Sequence, residues 1–236
     1  MDINSWELIL VNAENAIGAD FAPETQFVGD LASVDARIAD ALSAFAQGAR
    51  DQGLPVYLSS GYRSFSEQQA NFNAKLNSTG SYETAAKIVA PPGTSEHQTG
   101  LAIDLALNTD NIDYIRPDFP YSGICEEFRK AAPEFGFIER YPAGKENITG
   151  IAHEQWHFRY VGFPHSMIIA EKEFTLEEYT EYIKSFRQEC PLRYSHKGIA
   201  AEIFYAPAET EISVNNAVCQ VSGNNTDGFV VTLWGV

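Results

Sequence analysis

Cysteine is scarce in this sequence. Cys125, Cys190 and Cys219 are the whole complement, far apart and without a C-x-x-C pair. That argues against a disulfide framework and against a cysteine-built zinc site, and makes a reducing compartment the simpler expectation. Positive charge is scarce as well: 16 Lys and Arg residues face 32 Asp and Glu, a formal net charge of -16. Nucleic acid and anionic membrane surfaces are therefore poor partners. Long apolar runs are missing too. The opening stretch MDINSWELILVNAEN lacks a basic region, and its apolar run, Leu8 to Val11, is too short for a signal peptide or a membrane span. The expectation is a cytoplasmic protein without a membrane segment in this chain; the alternative is an extracytoplasmic domain whose anchor has been removed.

Apolar content, by contrast, is ample. With 44% hydrophobic and 12% aromatic residues over 236 positions, the chain fits one large globular domain or a domain with an appendage. Residues 33–50 carry Val34, Ile38, Ala41, Leu42, Phe45 and Ala49 at helical spacing, with Ser33 as a candidate N-cap. LPVYLSSGYR reads as a strand running into a tight loop. Capping boxes at Ser64–Glu67 and Thr175–Glu178 predict two helix starts. Further helices are expected near 81–88 and 123–135, and strands at 101–107, FGFIERYP and EQWHFRYVG. After Pro191 the pattern alternates in strand fashion at 198–206, 211–221 and 228–234. The predicted fold is α+β: a small central antiparallel sheet flanked by helices over residues 1–190, with a β-rich extension over 191–236.

One stretch demands an explanation. PGTSEHQTGLAIDL sets His97 and Asp104 among apolar residues, and an unpaired buried carboxylate costs several kcal/mol. Strand alternation flanks Asp104 with Ala102 and Ala106 on its own face, which leaves room around the carboxylate. Gly100 lets the chain bend and bring His97 to the same point. Histidine nitrogen and carboxylate oxygen suit zinc. A third ligand is needed from His153, His157, His165 or His196, and His157 is the best candidate because WHFRYVG is an apolar strand. Glu154 is placed to accept a proton, but on a straight strand positions 154 and 157 face opposite ways, so a bend near Gln155 is required.

Three segments carry a resemblance. SEHQTGLAID matches the S-x-H-x-x-G-x-A-x-D motif of zinc D,D-peptidases that cleave D-Ala-D-Ala. HEQWHFRYVG resembles their E-x-W-H-x-R-Y-V-G motif, and SGYRSFSEQQ resembles their G-Y-R-S/T segment. The chain is similar to D-alanyl-D-alanine carboxypeptidases of the VanY and VanXY type over roughly residues 55–165, while residues 195–236 match nothing in the resemblance. The resemblance implies zinc bound by His97, Asp104 and His157, with Glu154 as general base and then acid. It implies Arg63 at the oxyanion, Ser95 and Gln68 at the substrate carboxylate, and Trp156 as a pocket wall. His153, His165 and His196 are then expected to be structural or superficial. The implied substrates are peptidoglycan precursors ending in D-Ala-D-Ala. D,D-dipeptidase, bifunctional and L,D-carboxypeptidase activities remain alternatives within the class, and a non-catalytic zinc-containing cell-wall binding module stands outside it. Oligomeric state is not legible.

Overall fold

The computed structural model describes residues 2–28, 32–51, 56–107, 111–114, 116–213 and 218–235. Parts of the expected strands (54–55 and 214–217) and of the Asp-rich loop (108–110 and 115) lie outside the described residues, as does the side chain of Ala49. The fold is α+β, and its contacts divide it into two compact units. One is Val11–Ala170; the other joins Met1–Leu10 to Glu171–Val236.

The first unit begins with a hairpin, β1 (Thr25–Val28) and β2 (Ala32–Asp35), followed by helix α1 (Ala39–Asp51). Here the sequence expectation is corrected. Ser33 lies in β2, and the helical run begins after Asp35, whose carboxylate accepts from the Arg37 amide and caps the leading turn. Then come β3 (Val56–Ser60), α2 (Phe65–Thr79), α3 (Tyr82–Ala86), β4 (Ala102–Leu107), α4 (Gly123–Ala131), β5 (Phe137–Tyr141), α5 (Glu146–Thr149) and β6 (Glu154–Tyr160). Helix α2 starts at the capping box of Ser64 and Glu67, as the sequence predicts. Among the described residues, β3, β4, β6 and β5 pair in that order as an antiparallel sheet.

An aromatic cluster packs between these helices and the sheet. Phe45 of α1 lies 3.8 Å from Phe128 of α4 and 5.4 Å from Phe137 of β5, and Phe119 meets Phe158 of β6 edge-on at 5.6 Å. Burying side chains of this size contributes about 1.5–3 kcal/mol each, which makes the sheet a rigid platform. Strand β4 is buried almost throughout, so its polar member, Asp104, sits in the interior.

Helix α6 (His165–Lys172) spans the division between the units, and α7 (Leu176–Ile183) opens at the capping box of Thr175 and Glu178. The second unit adds β7 (Leu192–His196), β8 (Ile199–Pro207), β9 (Val218–Gly223) and β10 (Gly228–Trp234), antiparallel in the order β7-β8-β10-β9 among the described residues. Its core centres on Phe204, Ala206 and Val231. This unit takes in residues 171–190 and 1–10 as well as the β-rich extension expected over 191–236. Helix α7 contacts β8, the Phe186 carbonyl accepts from the Tyr205 amide, and Ser222 accepts from the amides of Trp6 and Leu8. Chain distant in sequence thus closes around the C-terminal strands.

Candidate active site

Antiparallel pairing brings the first two residues together. Asp104 on β4 lies opposite His157 on β6, and directly opposed residues share a sheet face. His157 Nδ1 is 3.0 Å from Asp104 Oδ1. His97 arrives on a short 3-10 turn, Glu96–Thr99, closed by Gly100 at φ 70. A side chain at Gly100 would collide with the Asp35 amide at 2.6 Å, so the bend expected there depends on glycine. His97 Nε2 then lies 3.3 Å from Asp104 Oδ2.

The tautomers follow from the outer nitrogens. His97 Nδ1 is 2.7 Å from the Gly61 carbonyl, which only accepts, so Nδ1 carries the proton and Nε2 presents a lone pair. His157 Nδ1 meets Asp104 Oδ1 and its Nε2 faces the Glu96 carboxylate at 3.5 Å, so a proton kept on Nε2 would leave Nδ1 as a lone pair for a cation on the Asp104 side. Two imidazoles and a carboxylate, all buried and with one ligand atom each within 4.8 Å of the others, call for a cation among them, a proton or a metal ion. The residues fit a metal ion: two nitrogens and one oxygen, each imidazole tethered at its far side.

Glu154 reaches the same point because β6 is not straight. Glu139 pairs with Phe158, yet Tyr141 pairs with Glu154, so three β6 residues oppose the single Arg140. This bulge supplies the bend that the sequence required, and Glu154 Oε2 lies 3.8 Å from His157 Nδ1. Arg129 braces it by donating from Nη2 to the Gln155 carbonyl at 3.1 Å and to the Phe119 carbonyl at 3.0 Å. Its guanidinium lies 4.0 Å from the Tyr121 ring centre, and its Nε is 3.4 Å from Glu139.

A cavity of about 500 Å³ opens over this cluster. Arg63, Gln68, Ser95, His97, Asp104, Glu154, Trp156 and His157 all line it, so the structure brings together every site residue expected from sequence. Arg63 is fixed on both sides, donating from Nη1 to Gln68 Oε1 at 2.8 Å and from Nη2 to Ser60 Oγ at 3.2 Å. Gln68 also donates to the Ala90 carbonyl at 2.6 Å, so it supports Arg63 as well as facing the cavity. Ser95 precedes the 3-10 turn without capping it.

The electrostatics are those of a shielded site. Burial raises Glu154 to about 7, outweighing the opposite pull of His157 and Arg63. Burial would lower His157, but Asp104, Glu96 and Glu154 together raise it to about 9. His97 is pushed down by burial against the attraction of Asp104. Burial opposes the charge on Asp104, yet the two histidines hold it well below the usual carboxylate range. The remaining histidines stay outside the cluster. His165 is buried and held neutral by desolvation, at about 3, while His153 stacks on Tyr121 with Nε2 2.7 Å from its hydroxyl.

Four residues that shape the site were not singled out in the sequence: Glu96, Arg140, Arg159 and Arg129. The signal for the first three is present in retrospect. FIERY and WHFRY each place an arginine inside an apolar strand, and a buried guanidinium requires an anion. Nothing local announces Arg129, whose role depends on a bulge in a distant strand.

A family model described as "VanY: D-alanyl-D-alanine carboxypeptidase" matches residues 31–163. A D-alanyl-D-alanine carboxypeptidase of Enterococcus faecium is 38% identical over 180 residues, covering 75% of this chain; the chain spans only about half, 53%, of that relative. Among solved structures, the vancomycin resistance D,D-dipeptidase VanXYg, bound to a D-Ala-D-Ala phosphinate analogue, superimposes with a TM-score of 0.91. It is 44% identical and covers 98% of this chain and 95% of its own. A VanY D,D-pentapeptidase variant in complex with Zn(II) gives a TM-score of 0.62 at 34% identity, covering 75% of this chain and 99% of its own.

Proposed function

This chain belongs to the VanY family of D-alanyl-D-alanine carboxypeptidases, and from that premise we propose that it is a zinc-dependent D,D-carboxypeptidase hydrolysing the terminal D-Ala-D-Ala bond of peptidoglycan precursors. The observation that carries the reading is the convergence of His97, Asp104 and His157 with Glu154 and Arg63 in one cavity. The choice of zinc draws on the nitrogen–nitrogen–oxygen donor set and on the Zn(II) complex of the VanY relative.

When bound by His97, Asp104 and His157, zinc supplies Lewis acidity toward the scissile carbonyl and acidifies water to a pKa of ~7. Glu154 accepts the proton of the attacking water, a task suited to a carboxylate that burial has made more basic than usual. It then returns that proton to the amine of the departing D-alanine. Arg63, held rigid by Gln68 and Ser60, meets the developing oxyanion, where one such preorganised donor is typically worth roughly 3–4 kcal/mol. Ser95 and Gln68 hold the substrate's terminal carboxylate. Trp156 forms the wall that excludes water.

A bifunctional, VanXY-like range is the second reading, favoured by one observation. The likeness to VanXYg extends over 98% of the chain, whereas the VanY structure covers 75%. A binding module without catalysis is disfavoured, because it has no use for a proton acceptor and an oxyanion donor beside the metal site. Glu154→Ala separates these readings. Zinc content should stay at one equivalent while D-alanine release falls roughly 100- to 10,000-fold; full activity with intact zinc would refute the assignment of Glu154.

A further inference from the structure

We propose that Glu96 is a positioning residue for His157. Its carboxylate, anchored by Arg140 and Arg159, accepts a hydrogen bond from His157 Nε2–H and so keeps Nδ1 free as the metal-binding lone pair. This inference rests on the reading of His97, Asp104 and His157 as ligands, and extends it one layer outward.

The side chains of Glu96, Arg140 and Arg159 have no exposure to solvent at all. Glu96 Oε1 accepts from Arg140 Nε at 2.8 Å and from Arg159 Nη1 at 2.7 Å, which pins the carboxylate from two strands. Its other oxygen, Oε2, is buried and has no hydrogen-bond partner among the described residues. Neither has His157 Nε2, which faces it across 3.5 Å. One unfilled acceptor and one unfilled donor, each costing about 1–3 kcal/mol if left unmade, point at each other within a few tenths of an ångström of bonding. Tyr141 lies against the imidazole with ring centres 4.9 Å apart, limiting its swing, and the Arg140 guanidinium lies 4.8 Å from the Tyr141 ring centre.

The chain economy of this arrangement is specific. Glu96 and His97 are adjacent on one 3-10 turn, so a single turn delivers one ligand directly and orients the other through its neighbour. Two guanidiniums on one carboxylate more than neutralise it, so the metal ligands gain an acceptor without gaining net negative charge beside them.

A buried ion pair serving stability alone predicts something different, and Glu96→Gln separates the two. The amide keeps its oxygen for Arg140 and Arg159 but turns an N–H toward His157 Nε2. Donor then meets donor, and the ring must move its proton to Nδ1, where the lone pair is needed. Zinc affinity, read by chelator competition without substrate, should fall roughly 10- to 100-fold relative to wild type. Unchanged zinc affinity in folded Glu96→Gln protein overturns the proposal. A companion measurement needs no variant: nitrogen-15 histidine spectra of zinc-loaded wild type should show His157 protonated at Nε2 and coordinated through Nδ1. Coordination through Nε2 overturns it as well. If wild type binds no zinc, the ligand reading itself falls and this inference with it, whereas tight wild-type binding matched by Glu96→Gln refutes the inference alone.

Discussion

The unit of residues 11–170 carries exposed ion pairs such as Lys130–Glu127, as the other unit does, but adds a buried cluster of charged groups. Within residues 11–170, Glu96 with Arg140 and Arg159, and Asp104 with two histidines, lie in the interior. In the unit built from residues 1–10 and 171–236, Arg193–Glu202 and Lys184–Asp227 lie toward solvent. Removing an ion from water costs several kcal/mol, so a cluster of interior ions has to be held by something beyond stability. Here Glu96, His97, Asp104 and His157 line one cavity, where the proposed chemistry takes place.

The contrast can be broken most forcefully at Asp104. Asp104→Ala should abolish zinc binding and, by leaving two buried histidines without their anion, destabilise the metal-free protein by about 3–5 kcal/mol in urea unfolding. Retained zinc binding would remove Asp104 from the ligand set. A smaller effect is expected from Arg129→Ala, which removes the brace on the β6 bulge. Turnover should drop up to about 100-fold while zinc content is preserved, because Glu154 is displaced and the ligands are not; normal turnover would mean the bulge stands without Arg129. The smallest belongs to the other unit. Arg193→Ala breaks an exposed pair and should change stability by less than about 1 kcal/mol, with no change in activity. A large loss there would erase the distinction between the units.

Much of the site is legible in one dimension because its residues contradict their surroundings. Asp104 interrupts an apolar strand, and His157 interrupts another; burial alone leaves a metal and a hydrogen-bonded core as rival readings, and the resemblance to zinc D,D-peptidases selects the metal. The α+β class, the two capping boxes and the central strands follow from periodicity and caps, which are local. What stays hidden is relational. Positions 154 and 157 face apart on any straight strand, and the bulge that reconciles them is held by Arg129 from α4. The 25–35 hairpin shortens the helix expected from Ser33, since the Val34 and Ile38 stripe signals burial but not conformation. The apolar face of α7 likewise declares that it packs, not against what; in the structure it contacts β8. Glu96 needed two remote arginines before its role could be read.

Release of free D-alanine reports directly on hydrolysis at the His97–Asp104–His157 cluster. Zinc-loaded protein should release D-alanine from a pentapeptide ending in D-Ala-D-Ala, lose that activity to a chelator and regain it when zinc is restored. No release by zinc-loaded protein from either the pentapeptide or the D-Ala-D-Ala dipeptide, or release that a chelator leaves untouched, would contradict it.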